Sequence, residues 1–324
     1  MKAIKILTMA ALTTVVFASC SNDDELAQSN YPADNVVRIM TSVDGMNTRA
    51  SYGSSTAKLS SFGFCINNAS NAKYTYDNIK VTQEGSNWNP ATQMLWQNST
   101  TAVDILAYAP YQDENNGIFG KTDYAFSVQE DQSKADDYSS DLIVYKQTGF
   151  TPGLELNTNK AVEVSFTHLL SQLNLTIELR DQFNQDEKNP VTAGFVTDVK
   201  VNGTIISSKV DFAAASIGVQ VDGTQEATAI TPETTEFKAA GKTTDHAAFN
   251  YSAIVIPQTV TTGNFSISFK VNGTDYIWTA TSDVKFVSGM KHELHLLVGK
   301  DVVQGGTISA TPWGDGGTGS LETD

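Results

Sequence analysis

No stretch of this 324-residue sequence keeps an apolar i, i+3, i+4, i+7 pattern for more than two turns. Short runs rich in Val, Ile, Thr, Phe and Tyr alternate instead with clusters of Gly, Asn, Asp and Ser. β-branched and aromatic residues suit a pleated, half-buried surface, and the clusters between them suit turns. Strands are predicted over 36–43, 59–66, 78–83, 103–108, 124–128, 142–145, 162–179, 196–201, 204–212, 249–256, 265–271, 276–281 and 292–298. Many short strands at this spacing predict an all-β chain built of antiparallel β-sandwiches. Asn202-Gly203 and Asn272-Gly273 each lie between apolar runs and predict two hairpins with type I′ turns, in which both central residues need φ > 0.

Two apolar strands end in the same way. Val103 to Ala109 runs into Pro110, and Tyr251 to Ile256 runs into Pro257. Proline cannot donate to a ladder, so each run stops there. Each is followed by polar loop and then an alternating strand. The repeat predicts two units, 36–158 and 159–324. Their junction falls in the polar, Pro- and Gly-containing stretch 151–160, and a boundary after Leu179 is the alternative.

Charge and composition exclude several functions. The chain carries 36 acidic and 21 basic side chains, a formal charge of −15. Phosphate binding needs a basic patch, so nucleic acid is excluded as a partner. Cys20 and Cys65 supply neither a disulfide framework nor a cysteine-rich zinc site. His292-Glu293-Leu294-His295 lacks the helical His-Glu-x-x-His spacing, and on a strand its two histidines point to opposite faces. No metal site and no cofactor are expected. No Gly-x-Ser-x-Gly or phosphate-loop motif occurs, so no enzyme is expected. His168 is read as a structural hydrogen-bonding group and Cys65 as an inert buried thiol. Trp88, Trp96, Trp278 and Trp313 are read as core packing, with a sugar-binding surface as the alternative.

The N-terminus reads as an address. Lys2 and Lys5 precede a mostly apolar run, 6–17, which is too short to span a bilayer but suits a secretory signal. It ends in Phe17-Ala18-Ser19-Cys20, which resembles the lipobox of bacterial lipoproteins. That resemblance implies removal of 1–19 and acylation of Cys20. Residues 20–35 form an acidic, polar tether, and its Ser21–Glu25 start resembles a signal for export to the outer face of the outer membrane.

The segment Val162-Glu163-Val164-Ser165-Phe166-Thr167-His168-Leu169-Leu170-Ser171-Gln172-Leu173 resembles a signature of the fimbrillin family, pilus-building lipoproteins of anaerobic Gram-negative gut and oral bacteria. Other pieces follow in the family's order: Leu95-Trp96, Ala107-Tyr108-Ala109-Pro110, Asp141-Leu142-Ile143-Val144, Gly289-Met290-Lys291-His292, and Ile308 to Trp313. The resemblance implies two transthyretin-like antiparallel β-sandwich domains in tandem. It implies a structural subunit, shaft or tip, of a cell-surface fimbria that contributes to adhesion. The implied partners are other pilus subunits, the outer membrane, an Arg-specific protease and a host or bacterial surface ligand.

The resemblance also implies a route of assembly. The protease cuts in a loop behind the first strand, the strand leaves, and a strand of the next subunit fills the groove. Met46-Asn47-Thr48-Arg49-Ala50-Ser51 matches the cleavage position, with the cut between Arg49 and Ala50. In the detachable strand, Val37, Ile39, Thr41 and Val43 share one face. The donor candidates are 298–303 and 307–313, the second carrying Ile308, Ala310 and Trp313. A surface glycan-binding lipoprotein is the alternative function.

Overall fold

The structure, a computed structural model, describes residues 30–43, 58–113, 117–134, 136–184, 190–241 and 245–313. Cys20, Arg49 and Ala50 lie outside the described residues. The apolar and alternating runs form strands, and the chain is all-β as expected. A seven-stranded sheet contains, in spatial order, β1 (Ile39–Val43), β8 (Val162–His168), β7 (Ile143–Phe150), β5 (Val103–Ala109), β2 (Ser61–Asn67), β3 (Tyr76–Glu84) and β4 (Asn87–Pro90). A second large sheet orders β13 (Glu233–Lys238), β14 (Ala247–Val255), β9 (Ser171–Leu179), β19 (Met290–Val298) and β20 (Val303–Gly305), and β21 (Ser309–Pro312) also pairs with β19. Two three-stranded sheets join β12 (Gly218–Val221), β11 (Ser207–Asp211) and β6 (Tyr124–Ser127), and β10 (Val196–Asn202), β16 (Ser266–Val271) and β17 (Thr274–Thr279). A short pair joins β15 (Thr259–Val260) to β18 (Val284–Lys285).

Period-2 alternation explains where the core sits. Along β5, Ile105 and Ala107 enter one core, and Leu106 and Tyr108 enter another. A strand buried on both faces reads as an unbroken apolar run, and Ile105–Ala109 within β5 is one. The first core, with Phe62, Phe64, Val164 and Phe166, lies inside the curl of the seven-stranded sheet. The second passes through Phe126 on β6 and Val210 on β11 into the C-terminal sheets. The sheet curls far enough for its ends to meet: Val37 N donates to Met94 O at 3.0 Å and Trp96 N to Asn35 O at 2.8 Å.

Four expectations change. The predicted strand 162–179 is two strands, and the chain passes from the seven-stranded sheet to the second large sheet between them, at Leu169-Leu170. Burial falls on even positions through β8 (162, 164, 166, 168) and on odd positions through the end of β9 (173, 175, 177, 179). The two leucines are where that phase flips. Asn202-Gly203 makes no hairpin, because β10 pairs with β16 while β11 pairs with β6 and β12. Gly203 (φ +93°) turns the chain from one sheet to another, past a carbonyl that a Cβ would approach to 2.0 Å (Asn264 O). Asn272 (φ 47°) and Gly273 (φ 82°) do close the β16–β17 hairpin. Pairing is also not wholly antiparallel: β1–β8 and β9–β19 are parallel, each joining strands far apart in sequence, where a long connection permits it. Finally, β4, β12, β13, β15 and β18 were not predicted; they are two to six residues long and none carries more than two apolar side chains.

Cys65 is buried in β2, where Asn78 N donates to its Sγ at 3.2 Å. Burial pushes its thiol up to about 12. In a Cys20→Ser variant, the native protein is expected to resist a thiol reagent at pH 8 and to label once unfolded. Rapid labelling of the native protein would contradict this burial.

Candidate functional site

The approach to β1 is set by a local ion pair. Arg38 Nη2 lies 2.6 Å from Asp34 Oδ2, and Val36 N donates to Asp34 Oδ1 at 3.1 Å. The bond from Arg38, then that from Val36, holds the Asp34 carboxyl down to about 2. Both side chains are exposed, so the pair orients the turn more than it stabilises the fold. Beyond it the side chains alternate. Val37, Ile39 and Val43 are buried and Thr41 is half-buried, while Arg38, Met40 and Ser42 face outward.

β1 is an edge strand. Among the described residues it pairs, in parallel, only with β8, from Ile39↔Val162 to Val43↔Phe166, and Val162 N donates to Arg38 O at 2.8 Å. Its inward face joins the core of Phe62 and Phe166, whose rings meet at 5.3 Å. Three buried aliphatic side chains at ~1.5–3 kcal/mol each stabilise this placement by roughly 5–9 kcal/mol, an upper estimate.

The far end of β8 reaches the chain's other terminus. His168 is buried, its Nδ1 lies 2.9 Å from Asp141 Oδ1, and its ring stacks on Trp313 at 4.0 Å. Trp313 is buried directly after β21, and its N donates to Gly289 O at 2.8 Å. The proposed donor residues are therefore engaged in their own sheet. Ala310 pairs with His292 in the β19–β21 ladder, and Ile308, just before β21, is half-buried against the core. The candidate 298–303 is the turn between β19 and β20, not one strand.

The other histidines bond within the fold. His292 faces inward and accepts from Val287 N at 3.1 Å; burial pushes its pKa down to about 4. His295 points to the opposite face and lies 2.7 Å from Glu178 Oε2, while His246 bonds the other oxygen. Burial opposes ionisation of Glu178, but the two histidines outweigh it and hold the carboxyl below its usual range. Among the described residues, no group of three His, Cys, Asp or Glu side chains is arranged to hold a metal ion. Trp96 is buried and stacks on Phe150 at 5.7 Å, and Trp278 is half-buried, its ring against Gly305. Trp88 differs. It is half-buried in a cleft of about 620 Å³ between β1 and β4, beside Arg38, Met40, Asn87, Gln93 and Asn159. No sequence signal marks this cleft, because its walls come from the two ends of one curled sheet.

The family model described as fimbrillin-like matches residues 48–313. The chain belongs to the fimbrillin-like family. No curated protein matches this fimbrillin-like chain significantly. Solved structures share its fold. A fimbrial protein from Bacteroides vulgatus is 15% identical, with a TM-score of 0.55 over 86% of this chain and 99% of that one. A candidate cell adhesion protein from Bacteroides ovatus is 16% identical, with a TM-score of 0.58 over 86% of this chain and 97% of that one. Another from Bacteroides uniformis is 18% identical, with a TM-score of 0.55 over 87% and 99%.

Trp313→Ala is expected to cost ~3–5 kcal/mol in denaturant unfolding, the range for emptying a buried aromatic site. Leu154→Ala, at a residue 84% exposed, is expected to stay within about 0.5 kcal/mol. Equal effects would contradict the anchoring role of Trp313.

Proposed function

We propose that this protein is a structural subunit, shaft or tip, of a cell-surface fimbria, assembled by strand exchange at β1. Membership of the fimbrillin-like family supports the fimbrial role and a non-enzymatic one. One observation carries the finer reading: β1 is an edge strand whose inward face is buried, its ladder runs along β8 with only the approach at 35–37 tied to Met94 and Trp96, and the candidate cleavage segment follows it in sequence. A cut between Arg49 and Ala50 leaves 20–49 held only by noncovalent contacts. Those contacts are worth a large part of a domain's ~5–15 kcal/mol, so an emptied slot is unstable until another strand enters it. Backbone pairing supplies generic affinity, and pockets for alternate side chains set specificity.

In this reading, Cys20 carries the lipid that holds the precursor on the outer membrane, and cleavage releases the subunit into the fimbria. Adhesion then follows from the polymer and from a host or bacterial surface ligand. The donor is the C-terminal strand with Ile308, Ala310 and Trp313, which must first leave β19.

The test uses the acylated precursor and an Arg-specific protease. The expected result is one early cut after Arg49, release of the fragment bearing Cys20, and a ladder of oligomers on a denaturing gel run without boiling. Arg49→Ala is expected to abolish all three. Cleavage elsewhere first, or a clean cut at Arg49 with no oligomers, would refute strand exchange as the route of assembly.

A further inference from the structure

The two ends of the seven-stranded sheet meet beside β1 and β4. Val37 and Asn35 are tied to Met94 and Trp96, and a cleft of about 620 Å³ lies between β1 and β4. Such a volume falls within the ~300–1,000 Å³ of small-molecule sites. We propose that this cleft binds a neutral saccharide.

Three observations carry the assignment. The first is Trp88, a large apolar plate on the cleft wall. Its ring packs edge-on against Phe62 at 5.0 Å, which fixes it before any ligand arrives. An indole so held offers area at little entropic cost, as the C–H face of a sugar requires. The second is the polar lining. Asn87, Gln93 and Asn159 are neutral amides that both donate and accept, as sugar hydroxyls do. The third is charge. Arg38 is the single charged side chain among the lining residues, and Asp34 at 2.6 Å neutralises it. The cleft therefore selects neither an anion nor a cation, on a chain that is otherwise strongly acidic.

An inserted β-strand fits the cleft less well. β4 is four residues long and ends at Pro90, which has no N–H, and the seam is already closed at Val36–Val37. The proposal does not rest on strand exchange. The cleft exists with β1 in place, so the uncleaved chain is the form to test.

A Cys20→Ser full-length protein is screened on an array of neutral and acidic glycans. The best neutral oligosaccharide is then titrated by tryptophan fluorescence and calorimetry. Binding to neutral glycans is expected, with affinity falling about tenfold or more in Asn87→Ala/Gln93→Ala, whose residues are exposed. Trp88→Phe, which keeps a ring against Phe62, is expected to weaken it similarly, and Trp278→Phe to leave it unchanged. Circular dichroism establishes that each variant is folded. Absence of neutral-glycan binding at millimolar ligand, binding of acidic glycans alone, or affinity unchanged in both cleft variants would overturn the proposal. So would a peptide of residues 307–313 displacing the saccharide.

Discussion

The parallel ladder between β1 and β8 is the interaction on which the N-terminal half depends. β8 is held on its other side by β7, through Ile143↔His168 and Val144↔Thr167, so β1 leans on a strand that is itself built in. On the outer surface the ladder adds one side-chain bond, between Ser42 and Ser165 at 3.0 Å. The inner surface carries the energy, because Val162, Val164 and Phe166 pack with Ile39 and Val43. A parallel partner distant in sequence means that no tight turn ties β1 to its neighbour. Its placement is a tertiary contact throughout.

The same strand connects the two ends of the chain. β8 begins against β1 and finishes at His168, which stacks on Trp313. The C-terminal strands lie along β19 as short edges, β20 at Leu296 to Val298 and β21 at Met290 to Glu293. Short edge strands pair weakly with strangers, which protects an isolated subunit from casual aggregation. Trp313 adds an anchor to this edge. A subunit that donates β21 gives up that burial, so the acceptor slot must return at least as much apolar contact.

The sequence reveals the strands better than their partners. β5 was legible because seven mostly apolar residues fill two cores at once, and β19 because it alternates. Val37, Ile39 and Val43 share the buried face that alternation assigns them. Pairing was not legible. Val-Asn-Gly-Thr occurs twice, yet only the copy at 271–274 closes a hairpin, since the neighbours of Gly203 belong to different sheets. The change of sheet was written in the sequence as a shift of apolar positions from even to odd around Leu169-Leu170, a weaker mark than the Pro-Gly stretch before it. The Trp88 cleft and the Glu178 carboxylate with its two histidines were invisible, because each assembles from strands that only the fold brings together.

The central claim is that the first strand fills a slot another strand can occupy. It is tested by cleaving the protein after Arg49, removing the freed fragment in mild denaturant, and following thermal unfolding of the remainder with added peptides. The account requires a clear loss of Tm on removal, restored by a peptide of residues 36–43 and not by the same residues scrambled. An unchanged Tm after removal, or equal rescue by the scrambled peptide, would contradict it.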